Sequence, residues 1–249
     1  MTNTRAIFIK QIQSLIKNPT MLAQAIAYLA IVAAITFLIG LDQADDTCDT
    51  CIPAYVCASC LAEEELSVTP DPSMVGLFTL MFVGLATVGS ASALVMEDKT
   101  THNLRFMTMA GVKPFQYLLG TIPSIFVLNI VIIVLFSIVG GYFGMEMLRF
   151  VSIAATGALV STLLGVAIGL SRAPVLAAPF SIVLGMGPML STFNDTLARY
   201  LRFTYTQQIN LAVSDLYQDM STHFMIIGAN GAVILLAFIW MHRKGELRW

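Results

Sequence analysis

Polar and apolar positions fall in long blocks along this chain. Residues 4–17 place Phe8, Ile9, Ile12, Leu15 and Ile16 on one helical face and Lys10, Gln13, Ser14 and Lys17 on the other, before Asn18-Pro19 ends the pattern. That segregation predicts an interfacial helix lying along a membrane. Apolar runs follow at 20–40, 74–95, 115–139, 150–170, 174–190 and 223–241, each close to the ~20 residues that a crossing needs. The expected fold is all-α and integral to the membrane, a single transmembrane domain over 1–249 with six transmembrane helices. The fifth run is barely long enough and holds Pro174, Pro179, Gly185, Gly187 and Pro188, so it must bend or tilt.

The polar blocks between the runs differ in kind. Residues 41–73 carry eight acidic side chains and no Lys or Arg, which marks an outer loop. Residues 97–111 hold Glu97, Asp98, Lys99, His102 and Arg105, yet Leu104, Met107 and Gly111 share one helical face, and Gly111 with Pro114 is a stop signal. No lipid-facing segment carries such charges without several kcal/mol of cost, so this is a short helix in water, between the second and third spans. Residues 191–222 are too polar to span but keep helical stripes such as Leu197, Tyr200, Leu201 and Tyr205. They read as two half-helices re-entering the outer leaflet.

Composition supports the membrane reading. Of 249 residues, 57% are hydrophobic and 11% charged, against about a quarter charged in soluble domains. Mean hydropathy is +0.80. With both termini in the cytoplasm, ten of the thirteen Lys and Arg fall inside, and Arg149, Arg199 and Arg202 outside, as the positive-inside rule requires. The first run shows no cleavage pattern behind it, so it stays as a span.

Candidate chemistry is sparse. Cys48, Cys51, Cys57 and Cys60, all the cysteines present, form C-x2-C-x5-C-x2-C in the acidic loop. The paired spacing suits zinc, but the central gap is shorter than the usual ~15–20 residues of a zinc ribbon. An outer, oxidising location favours disulfides stapling a cap. No GxxxxGK[ST], HExxH or Gly-x-Ser-x-Gly occurs, so nucleotide hydrolysis is not encoded and no catalytic residue, metal site or nucleic-acid partner is expected. The spans hold almost no mid-membrane ionisable residue, which counts against the alternative of an ATP-independent secondary transporter or channel. Gly165 and Gly169 form a GxxxG, read as packing within one subunit.

This layout resembles the permease subunit of type-2 ABC exporters, including ABCG-like and O-antigen-exporter-like permeases. Its residue-level anchor is Glu97-Asp98-Lys99, Leu104-Arg105 and Gly111-Val112-Lys113-Pro114-Phe115, with Thr101-His102 where many members have Gly-Thr. The resemblance implies a half-transporter that pairs with a second copy and docks two copies of a cytoplasmic ABC ATPase. ATP and Mg would be bound by that partner, and this chain would carry no cofactor. It implies a coupling helix at 97–111 with Glu97, Lys99 and Arg105 as charged contacts and Met107 as an apolar plug. A substrate path between the second and fifth spans would be walled by Phe78, Met81, Phe82, Met186 and Met189. Small permeases of this size resemble exporters of amphipathic peptides such as phenol-soluble-modulin-type toxins, or of lipids and drugs. The expected location is the cell membrane, in contact with its lipids.

Overall fold

A computed structural model describes residues 7–13, 23, 26–27, 30–31, 34, 72–112, 114–171, 174–191, 195–214 and 220–243. The cysteine cluster, most of the first span and the basic tail lie outside the described residues. Helix α1 is residues 7–13. Helix α2 runs from Pro72 to Thr100 through a π-helical turn at Phe82–Ala86. There follow α3 (Asn103–Met109), α4 (Pro114–Val139), α5 (Met145–Leu170), α6 (Ala177–Ser191), α7 (Asp195–Leu201), α8 (Tyr205–Ser214) and α9 (Ser221–Arg243). No strand occurs among the described residues.

Four stretches are long and apolar enough to cross a membrane: Gly76–Thr100, Phe115–Val139, Met145–Leu170 and Ser221–Met241. The protein is therefore all-α and multi-pass. Four boundaries differ from the sequence reading. The fourth span starts at Met145, not 150, so Glu146 and Arg149 belong to its first turns; an acid there suits the positive end of the helix dipole. The fifth apolar run is a 15-residue helix, about 22 Å long and short of a ~30 Å hydrocarbon core. The segment expected to be one helix over 97–111 is two pieces: Glu97–Thr100 continue α2, and α3 starts only at Asn103. Within 191–222, α7 is largely exposed whereas α8 is wedged inside the bundle.

Helix α5 is central, packing on α2, α4, α8 and α9. Its pairing with α2 is the closest because glycines remove the side chains between them. A Cβ on Gly165 would stand 2.7 Å from the Cβ of Ala91 and from the carbonyl of Val88, and one on Gly169 would stand 2.9 Å from the Cβ of Val95. The GxxxG thus seats α2 of the same chain. Where α2 crosses α6 the contact is backbone on backbone: a Cβ on Gly84 would lie 2.7 Å from Gly185 Cα. The π turn of α2 sits at that crossing. One apolar cluster fills one half of the bundle around Phe136, Phe150 and Ile209, and a second gathers Ile7, Leu94, Leu104, Tyr117 and Leu170 at the end where α2 turns into α3.

Candidate functional site

The charged turn is built on the end of α2. The Glu97 carbonyl accepts from the Thr101 amide at 2.9 Å and the Thr101 hydroxyl at 2.7 Å, which closes the last turn. His102 then takes a φ of 59°, a left-handed conformation that His adopts more readily than most non-glycine residues. This turns the chain from α2 into α3, and the two helices remain in contact. Gly111, at φ 78°, ends α3 with its successor Val112 donating to the Met107 carbonyl at 3.0 Å.

Asp98 is the hub of the turn. It is 6% exposed, and its carboxylate accepts from Gln11 Nε2 at 2.7 Å, Tyr117 Oη at 2.9 Å, Lys10 Nζ at 3.4 Å and Asn103 Nδ2 at 3.4 Å. These donors come from α1, α4 and α3, and Asp98 itself belongs to α2. One carboxylate therefore joins four elements, with α1 reaching it across 87 residues of sequence. Its two strongest bonds come from neutral, buried groups, which fixes it without an exposed ion pair; the Lys10 contact is long and its side chain half exposed, so it adds under about 1 kcal/mol. Ile7 packs against Gly120 on the same α1–α4 contact.

The residues anticipated as charged contacts separate into two roles. Glu97 and Arg105 stand exposed. Lys99 turns inward instead: its ammonium donates to the carbonyls of Gly169, Leu170 and Ser171 at 3.2, 3.3 and 3.0 Å. Ser171 meanwhile serves Ala167 and Ile168 through its amide. The carbonyls at the end of α5, which have no partner within the helix, are thus shared between Lys99 and Ser171, with a cation at the negative end of the dipole. Met107 packs half-buried on the cluster around Leu104. The apolar side chains that α3 presents outward are Phe106 and Met109, at 63% and 67% exposure.

The anticipated path residues are likewise dispersed. Phe82 is 3% exposed and its ring lies 5.5 Å from that of Phe136, within the larger apolar cluster. Phe78 is partly buried against the same cluster, Met81 is partly buried, and Met186 is exposed beside Phe180, Ile182 and Val183 on α6. The side chain of Met189 lies outside the described residues.

A second polar assembly, not anticipated, starts at Tyr205. Its hydroxyl pairs with Ser161 of α5 at 2.8 Å, Gln207 accepts from Ser191 of α6 at 3.0 Å, and Gln208 accepts from His223 of α9 at 2.6 Å while donating to the Arg202 carbonyl. Side chains on α8 thus reach three neighbouring helices. The sequence signal was polarity on an otherwise amphipathic ten-residue stretch, which reads equally well as a surface helix. Among the described residues no cluster of His, Cys, Asp or Glu is arranged to hold a metal.

Comparison with known proteins narrows the meaning of this arrangement. A family model described as ABC-2 type transporter matches residues 2–205. No curated protein and no solved structure gives a significant match. Domains of this family are the membrane component of ABC transporters, distinct from the ATPase, and work with an ABC ATPase as partner. A multi-pass bundle matched by that model over most of its length is the permease component of an ABC transporter, and this chain belongs to the ABC-2 type transporter family.

Proposed function

We propose that this chain is the permease half of an ATP-driven exporter, working as a homodimer in the cell membrane with both termini in the cytoplasm. It moves an amphipathic substrate, a peptide toxin or a lipid or drug, by alternating access at the dimer interface. Two copies of the ATPase bind ATP and Mg on the cytoplasmic side, and this chain carries no cofactor of its own. The observation that carries the reading is the Asp98 hub, which makes α1, α2, α3 and α4 one mechanical unit.

In this reading α3 is the coupling helix. Phe106 and Met109 enter a groove of the ATPase as apolar anchors, the kind of residue that dominates interface energetics once desolvated. Glu97 and Arg105 supply flanking charge. Displacement of α3 reaches α2 and α4 through Asp98 and reaches α5 through Lys99. Because α2 and α6 touch at Gly84 and Gly185, the two path helices rock together. The outward face of α6, with Phe180, Val183 and Met186, forms the path wall alongside Phe78 and Met81 of α2. An apolar wall without an ion-binding group suits an amphiphile.

The test is co-reconstitution with the ATPase in liposomes and measurement of ATP-driven movement of a fluorescent amphipathic helical peptide. A scrambled peptide of equal charge but no apolar face should stay behind. Movement driven by a proton gradient without ATP would replace this reading with a secondary transporter.

A further inference from the structure

Helices α4, α5 and α9 leave a groove of about 400 Å³ between them, lined only by apolar side chains, among them Phe115, Pro123, Val166 and Ile239. Phe115 and Ile239 are exposed, as are Leu119 and Leu235 on the same walls. The groove therefore opens sideways, between helices that span the membrane, and faces lipid. Its lining on α4 runs from Phe115 to Pro123, about 12 Å along the axis, so the room open to atom centres is on the order of 6 Å across. That suits one hydrocarbon chain and not a helix, which is about 10–12 Å across.

The position along the helices indicates the head group. Phe115 is the second residue of α4, and Ile239 lies four residues before the end of α9 at Arg243, so the groove begins within a turn of the polar boundary. In sequence Lys113 immediately precedes α4, and His242, Arg243 and Lys244 follow Met241. Basic residues that flank membrane spans in the sequence attract anionic lipid. The described positions of the first apolar run are exposed, Ile26 and Ile31 among them.

We infer that the groove is a binding site for an anionic phospholipid of the surrounding bilayer, one acyl chain lying between α4, α5 and α9 and the phosphate meeting the basic end of α9. Leu118, Ile122 and Phe238 line the groove and also pack on the cluster that holds Ile7 of α1 and Leu104 of α3. A bound chain thus braces the support of α3 from the lipid side. The site rests on the groove alone; an effect on coupling rests on the function proposed above.

Full-length permease in nanodiscs, doped with phosphatidylglycerol or phosphatidylcholine carrying a photoactivatable acyl chain, tests this by mapping crosslinked peptides. Label should concentrate on residues 115–123 and 234–239, with phosphatidylglycerol favoured about fivefold for each basic residue engaged. Leu119→Trp, which fills the groove, should cut labelling of 234–239 at least about fivefold, while Val131→Trp, exposed on α4 away from the groove, leaves it unchanged. Arg243→Gln should reduce the head-group preference and keep the tail labelling. Label spread evenly over Val127, Val131 and Leu135, or indifferent to Leu119→Trp, overturns the site, and equal labelling by the two lipids overturns its anionic character. Correct labelling in a permease that fails to export upholds the site and removes only the exporter reading.

Discussion

The Tyr117 hydroxyl donates to the buried Asp98 carboxylate at 2.9 Å, joining the end of α2 to the start of α4 across the turn that carries α3. Gln11 donates to the same carboxylate oxygen at 2.7 Å. Removing the carboxylate takes away the acceptor that both buried donors share, at about 1–3 kcal/mol each. Asp98→Ala should therefore destabilise the permease by about 2–4 kcal/mol. Tyr117→Phe, which removes one bond, should cost about 1 kcal/mol. Thermal unfolding followed by size-exclusion fluorescence distinguishes the two, and a double-mutant cycle should give non-additive losses. Equal, additive and small effects would remove Asp98 from its place as hub.

Lys99 is predicted to act within the permease. Replacing it by Met strips a cation from the end of α5 and should lower stability by about 1 kcal/mol, leaving co-purification with the ATPase at wild-type level. Lys99→Glu, which puts like charge against the dipole, should be worse. If Lys99→Met instead releases the ATPase without lowering the unfolding temperature, the ammonium contacts the partner directly.

For α3, Phe106→Ser and Met109→Ser should each weaken ATPase binding about tenfold or more while leaving permease stability unchanged, because both side chains are already exposed. Met107→Ala should do the reverse, costing about 1–2 kcal/mol of stability through lost packing. Glu97→Arg should reduce recovery of the complex or uncouple ATP hydrolysis from export. Titrating purified ATPase against each variant in nanodiscs provides the readout.

Glycines at helix crossings provide a steric test with internal controls. Gly84→Val must part α2 from the backbone of α6, and Gly165→Val must part α5 from α2, so both should yield aggregated or poorly expressed protein. Gly89→Ala and Gly228→Ala meet nothing within 4 Å and should behave as wild type. Monodispersity on size exclusion is sufficient to score all four.

The transmembrane character, the places of four spans and the charged turn between the second and third were legible in the sequence, because burial in lipid demands uncharged runs about 20 residues long and water demands the charges. Start and stop of α3 were partly legible: Gly111 marked its end, but nothing in the letters Glu97-Asp98-Lys99 distinguished the last turn of one helix from the first turn of the next. The packing partner of Gly165 and Gly169 became definite only when α2 was seen against them.

Side-chain roles inside the turn were not legible. Glu97, Asp98 and Lys99 are consecutive, and successive helical positions point about 100° apart, so one faces water, one the α1–α3–α4 junction and one the end of α5. Charge alone gives Glu97 and Lys99 the same role; only the neighbouring helices set the two apart. The same holds for α8, where Tyr205, Gln207 and Gln208 are polar enough to suggest a surface and are buried because Ser161, Ser191 and His223 on three other helices satisfy them. Sequence by itself determined which segments enter the membrane, through the free energy of transferring each run out of water. The tertiary structure decided which polar groups inside it have partners, since hydrogen bonds between residues as distant as Gln11 and Asp98 exist only once the helices have packed.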